Sequence, residues 1–465
     1  MLSPLDDRYA GELGGFRELF SEAGFIMARA RVELRYLEFL IDFLSSRGFV
    51  RPLGDGERAR LRSLVITEGD VGRVRELEGV LGHDVKAIEY MLREKLRSVG
   101  LGEYSHLVHL GLTSEDVNNL ALNLMVKEAV GNYLMPSALD LLNSLLDLAL
   151  RYAGTPMLGR THGQPATPTT FGKEMAYHAH RLCHWLAEIT SVRLQGKVTG
   201  ATGSMASFRV IDGDADWLNA LRGFIEGLGL EPVLISTQIL APDPLTRLLT
   251  DIALMAMALV NLAQDLWIYN MLGYIHIRGR PVGSSTMPHK VNPVDLENAE
   301  GNLKLGSSIL LEISRHLQVS RLQRDLSDST IKRNIGLGMG HVLLAIKRLN
   351  QVVKSMEVDP EAMEKDLLNH WEVLSEAVQV RLRALGMEDA YEKTLTIFRG
   401  GRMTEKEYRE ALKALGINDP VLTELKPTTY TGYAKEITLQ VINQCKKTLK
   451  PKTNNEYTST EAAVV

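Results

Sequence analysis

The chain has 465 residues, enough for two or three domains around a substantial core, and 45% of them are hydrophobic against 24% charged. That balance excludes a disordered, collagen-like or disulfide-framework protein. Basic (53) and acidic (57) residues intermix to a formal net charge of -4, so no nucleic-acid or membrane partner is implied and any anion must be met by a local cluster.

The N-terminal MLSPLDDRYAGELGG has no basic region followed by an apolar core, so no secretory signal is expected. The two cysteines, Cys183 and Cys445, match no metal spacing and suit a reducing, cytoplasmic setting. The first long helix is predicted over 21–48: Ser21 can cap it, Gly48 can end it, and Val32, Tyr36, Phe39 and Phe43 recur on one face. Residues 1–104 read as a charge-rich N-terminal helical domain. Leu and Ala at three-to-four spacing then predict helices over 115–152, 173–195, 244–277, 294–317 and 332–355, a central long-helix bundle filling 105–355. The apolar run 252–264, bounded by Asp251 and Asp265, is shorter than the ~18 residues of a membrane span and reads as a buried helix. VDPEAM at 358–363 restarts the helical pattern in a smaller C-terminal domain over 356–445, and the polar tail 446–465 is expected to be mobile. Alternating β-branched runs are scarce, so the predicted fold class is all-α.

Irregular islands interrupt these rods, and the chemistry is expected where they meet. They are SPLDDRY (3–9), LGHD (81–84), HLGLTSED (109–116), GRTHGQPATPTTFG (159–172), GSSTMPHKVNP (283–293) and SRLQRDLSDSTIKRN (320–334). The Gly-Ser-Ser turn offers backbone N–H groups to an anion, and Lys290 and Asn292 add a cation and an amide donor, a kit suited to a carboxylate. His162 sits in a loop stiffened by Pro165 and Pro168, where an imidazole can move a proton, although a solvated loop histidine is the plainer alternative. Glu297, one or two turns into the helix after the serine loop, can orient such a histidine. TSED reads both as a capped helix start, with Thr113 or Ser114 as cap, and as an anion-receiving N-terminus; His109 before it is either ligand-facing or core. Arg324 and Arg333, with the hydroxyls of Ser329 and Thr330, match a phosphate, with salt bridges to Asp325 and Asp328 as the alternative. No P-loop, no GxGxxG after a strand and no His/Cys cluster occurs in the sequence, so no cofactor and no metal are expected.

GSSTMPHKVNP resembles the signature of the fumarase/aspartase superfamily, helical homotetrameric lyases that release fumarate by breaking a C–N or C–O bond. SPLDDRY, HDVKAIEY, HLGLTSEDVNNL, RTHGQPATPTTFGKEM, STQI (236–239), SRLQRDLSDSTIKRN and NHWEVLSE (369–376) are similar, in family order, to the bacterial-type adenylosuccinate lyase branch. The resemblance implies cleavage of adenylosuccinate, and of succinyl-aminoimidazole-carboxamide ribotide, by a homotetramer with active sites shared between subunits and small nucleotides as its partners. By motif position it implies Ser284 as the base that removes the β-proton, His162 as the acid on the leaving nitrogen, and Glu297 as the partner of that histidine. Lys290 and Asn292 would bind the succinyl carboxylate, with Met287 of the same loop against the substrate. His83, Asp84 and His109 are implied as substrate-site residues, with Thr113, Ser114, Thr161 and Gln238 in contact with substrate. Arg8, Tyr9, Arg324, Ser329 and Arg333 would hold phosphate and ribose. An alkoxide base needs strong stabilisation, so a serine loop that closes over substrate is expected; chemistry alone favours histidine as base, which keeps His109 and His162 as an alternative. EGVLGHD departs from the Thr-rich segment of bacterial members before His83. The competing readings are a lyase for argininosuccinate, malate or aspartate, and a non-catalytic structural protein on the same scaffold.

Overall fold

The computed structural model describes residues 2–277, 287 and 289–448. Ser284 and most of the loop expected to close over substrate lie outside these residues.

Long antiparallel and parallel rods carry the architecture, as the apolar periodicity requires. The first spans Glu22–Ser46; Ser21 caps it by accepting from the Gly24 N–H at 2.9 Å, and Gly48 turns the chain away at φ +78°. Residues 114–151 form one continuous rod, Ser114–Glu128 passing through a π-helical turn, Ala129–Leu134, into Met135–Arg151. At 1.5 Å per residue this rod is roughly 55 Å long. Phe171–Ser191, Asp243–Met271, Val294–Leu317 and Ile335–Ser355 complete the bundle. The last two pack so closely that a Cβ on Gly306 would come within 2.8 Å of the Gly338 carbonyl oxygen, so glycine is what lets these backbones meet.

The apolar run 252–264 lies inside the helix Asp243–Met271, which is long and apolar enough to cross a membrane, yet 72% of its most apolar window is buried among its neighbours. Burial against other helices satisfies that apolar surface.

One hydrophobic core joins the N-terminal helices to the bundle and takes in Met363 and, from the last helix Ala434–Thr448, Ile442 and Cys445, while a separate cluster around Trp371, Leu374, Val378, Tyr408 and Leu412 organises the C-terminal segment between them. Three two-stranded ribbons are the strand content among the described residues. The largest is a hairpin, Pro156–Thr161 with Gln164–Thr170, where the prolines had predicted a loop. Pro is tolerated because each strand of a two-stranded ribbon has an open edge that needs no N–H.

Asp116 and Lys197 are completely buried and paired at 2.8 Å. The carboxylate also accepts the backbone N–H groups of Thr113 (2.9 Å), Thr199 (3.0 Å) and Gly200 (3.1 Å), so it ties the start of the long rod to the strand-like segment 195–200. Lys197→Met is expected to destabilise the fold by about 3–5 kcal/mol, because it strands a buried carboxylate. A thermal midpoint equal to that of the parent protein would show that the N–H groups alone neutralise Asp116.

Candidate active site

Most candidate residues sit at helix ends, with Thr161 and His162 on a hairpin tip and Gln238 in a loop, and one chain sorts them into groups. The first group surrounds the N-terminus of the 114–151 rod. His83 caps the helix Asp84–Ser98 by accepting from the Lys86 N–H at Nδ1 (3.1 Å), which leaves the proton of the neutral ring on Nε2, 3.4 Å from Ser114 Oγ. Asp84 meets Arg29 at 3.0 Å and Arg333 at 3.8 Å. Burial raises its carboxyl, but Arg29, the Val85 N–H, His83 and Arg333 outweigh it and hold Asp84 below the usual carboxylate range. Thr113 stands at the N-cap of the rod, its N–H donating to Asp116, so the cap half of the TSED reading is correct, and the half-buried Ser114 hydroxyl meets His83.

Arg324 pairs with Glu115 at 3.1 Å and donates to Gln238 Oε1 at 3.2 Å, and Lys332 lies 3.0 Å from Glu115. Burial works against a charge on Lys332, but Glu115 and Asp328 outweigh it and keep the ammonium charged. Arg333 reaches both Glu22 and Asp84, with its guanidinium 5.8 Å from the centre of the Phe25 ring. Ser329 is half-buried on the short helix Ser327–Lys332, one turn before Arg333. Thus His83, Asp84, Thr113, Ser114, Gln238, Arg324, Ser329 and Arg333 come together, with His109 on the adjoining turn.

The second group lies at the N-terminus of Val294–Leu317. Lys290 is exposed, and its N–H donates to the Met287 carbonyl at 3.1 Å; Asn292 follows on the same stretch. Glu297 accepts from Trp267 Nε1 at 3.3 Å. Tyr9 Oη accepts from the amide of Asn298, the next residue, at 2.9 Å, while the Arg8 guanidinium lies 5.7 Å from the Tyr9 ring centre. Arg8 and Tyr9 are therefore not beside Arg324 and Arg333 within one chain. Arg348 bonds Asp295 at 2.8 Å, which sets the level of this group along Ile335–Ser355, and roughly 20 Å of helix separates that level from Arg333.

The third group is the hairpin tip. Thr161 and Gln164 close the strands around a two-residue turn with φ +54° at His162 and +73° at Gly163, the twist a tight hairpin demands. His162 is exposed there, beyond the end of the long rod opposite Ser114. Arg160 anchors the hairpin through Tyr274 Oη (2.8 Å) and Asp366 (2.5 Å).

Sequence reasoning missed Arg29, Glu33, Glu115 and Lys332. The first two fall on the buried stripe of Glu22–Ser46, between Ile26 and Leu37, and charges at core positions of an amphipathic helix are a readable signal.

The candidate groups thus lie at the ends of helical rods and at the tip of one hairpin. A family profile described as Lyase matches residues 62–306, and one described as Adenylosuccinate lyase C-terminal matches 320–434. The adenylosuccinate lyase of Haemophilus influenzae is 37% identical over 444 residues, covering 94% of this chain and 97% of the relative. That of Escherichia coli K12 is 36% identical over 438 residues, covering 93% and 96%. Among solved structures, a fumarate lyase from Mesorhizobium sp. BNC1 superposes with a TM-score of 0.75 at 22% identity, covering 92% of this chain and 97% of the other. A 3-carboxy-cis,cis-muconate lactonizing enzyme from Pseudomonas putida gives 0.72 at 23%, covering 94% and 97%, and both establish the shared fold. The chain belongs to the adenylosuccinate lyase family.

Proposed function

We propose that the protein cleaves adenylosuccinate to AMP and fumarate, and succinyl-aminoimidazole-carboxamide ribotide to the corresponding carboxamide ribotide and fumarate, in the cytoplasm. The observation that carries this reading is that Arg324, Ser329, Lys332 and Arg333 gather near the start of the 114–151 rod and supply the guanidinium, ammonium and hydroxyl donors a phosphate takes, each cation held in place by a carboxylate of Glu115, Asp328, Glu22 or Asp84. Argininosuccinate, malate and aspartate carry no phosphate for these donors to hold.

The β-elimination needs a base at the β-carbon of the succinyl group, a donor at the departing nitrogen and a clamp on the carboxylates. Ser284 removes the β-proton, the C–N bond breaks with its electron pair going to nitrogen, and His162 supplies the proton that nitrogen takes up. Lys290 and Asn292 hold the carboxylate on which negative charge accumulates, and Met287 lies against the substrate. Glu297 keeps His162 oriented, and Thr161 steadies the same tip. Gln238, Thr113, His83, Asp84 and His109 line the nucleotide side.

His162 lies beyond one end of a rod roughly 55 Å long and Ser114 at the other, so a single chain cannot close this site. The reading therefore requires a homo-oligomer, of the tetrameric kind the family resemblance implies, with each site built from several copies. An exposed apolar stripe on Asp243–Met271, made by Leu254, Met257, Ile268 and Met271, together with Leu305 and Leu311 on Val294–Leu317, supports the same packing.

Purified protein offered adenylosuccinate, argininosuccinate and malate in parallel ultraviolet assays is expected to turn over the first alone. No absorbance change with adenylosuccinate, or faster turnover of either other substrate, would overturn the assignment.

A further inference from the structure

Glu33 and His109 form a pair that the mechanism above leaves without a purpose. Glu33 projects from Glu22–Ser46 with its side chain wholly buried, and Oε1 lies 2.5 Å from His109 Nδ1 while Oε2 has no partner among the described residues. A lone carboxylate in such a place is costly unless a cation or donor meets it. His109 holds φ +63°, a backbone region that non-glycine residues seldom enter. The turn that imposes it is pinned at both ends: the Leu112 N–H donates to the His109 carbonyl (3.2 Å), and Tyr36 Oη donates to the Leu110 carbonyl (2.8 Å). Tyr36 stands three residues after Glu33 on the same helix, so one helix face sets both the ring and the backbone that carries it.

The charged groups that act most strongly on this imidazole are acidic: Glu33, Glu89 from Asp84–Ser98, and Asp116 from Ser114–Glu128. Glu89 is already neutralised by Lys86 and Arg93, and Asp116 by Lys197, which leaves Glu33 as the carboxylate that looks to His109 for its counter-charge. Burial disfavours charge on the ring, but these acidic neighbours, Glu33 foremost, outweigh it and raise the pH at which the proton leaves. Nε2 has no hydrogen-bond partner among the described residues, and the ring, 15% exposed, retains an open side four residues before the Thr113 cap.

We propose that Glu33 is a positioning residue of this site: through Nδ1 it fixes the tautomer and angle of His109 and keeps the ring a cationic donor, so that Nε2 grips an anionic group of the substrate. His109 is then an anchor and not the base. This rests on the lyase reading for the identity of the substrate, while the state of the pair itself can be read in the free protein.

Glu33→Gln separates charge from orientation, because the amide oxygen can still accept from Nδ1–H. In the free protein, the NMR titration midpoint of His109, assigned by its loss in His109→Gln, is expected to fall by about one pH unit or more. In the parent protein KM for adenylosuccinate should rise as pH increases through the midpoint of His109; in Glu33→Gln that rise should begin at lower pH. At pH 8 KM is then expected to be about tenfold higher than in the parent, with kcat changed less than about threefold, and the two KM values should converge near pH 6. An unmoved His109 midpoint, superimposable KM profiles, or a loss of kcat at constant KM would each overturn the proposal. Should Glu33→Gln fail to fold, His109→Gln decides: the pH-dependent rise in KM must vanish in it, and its persistence would refute the anchor role. Absence of any turnover by the parent protein would sink the lyase reading, whereas the titration of His109 would still decide the pair.

Discussion

His162→Asn is expected to lower kcat by about 10²–10⁴, the range a positioned acid-base group contributes, with KM and the thermal midpoint nearly unchanged. Asparagine is the informative replacement because the tip demands a left-handed backbone, φ +54° at this position. It enters that region more readily than alanine does, so a change in backbone strain does not blur the result. The side chain is exposed at the end of a ribbon whose base is fixed by Arg160, Tyr274 and Asp366, so removing the imidazole disturbs no core contact. Steady-state kinetics on adenylosuccinate, with thermal denaturation as control, check this. A kcat within a few-fold of the parent would remove His162 from the proton-transfer step and return attention to the other histidines.

Much of this molecule is legible before any coordinates, and what escapes does so for identifiable reasons. Val294–Leu317 falls on the predicted range residue for residue, and Ser21, Thr113 and Gly48 act as the punctuation their chemistry suggests. Apolar periodicity and capping are local, and a long rod in a bundle has little tertiary force to override them. The hairpin around His162 is unreadable by the same logic. Its strands hold Pro165 and Pro168, and Gly159 sits where a Cβ would come within 2.3 Å of the Thr167 carbonyl oxygen, so neither strand shows the alternating β-branched pattern. Candidate site residues are nameable from their motifs, but not their grouping. That Tyr9 joins Asn298, that Arg324 and Lys332 share Glu115, and that Glu33 waits under His109 are contacts across 70 to 290 residues of chain, which no spacing rule reaches. Ser284, on which the reaction depends in our reading, lies outside the described residues.

The separation of groups leads to a result that a site contained in one chain could not give. His83→Asn and His162→Asn should each be nearly inactive alone, yet regain activity when mixed, dissociated in mild denaturant and reassembled. Asparagine at 83 can still cap Asp84–Ser98, so the loss there would report the missing imidazole and not a frayed helix. Because His83 touches Ser114 at one end of the 114–151 rod and His162 lies past the other end, the two must come from different copies whenever they serve one substrate. In randomly reassembled oligomers roughly one site in four then receives an intact residue of each kind, and mixed activity should approach about a quarter of the parent level. If both residues came from the same copy, every site would keep one lesion and mixing would restore nothing. Native mass measurement of the mixed species, using variants of distinguishable mass, confirms that subunits have exchanged, so an inactive mixture with demonstrated exchange would overturn the shared-site arrangement and with it the roles assigned across the bundle.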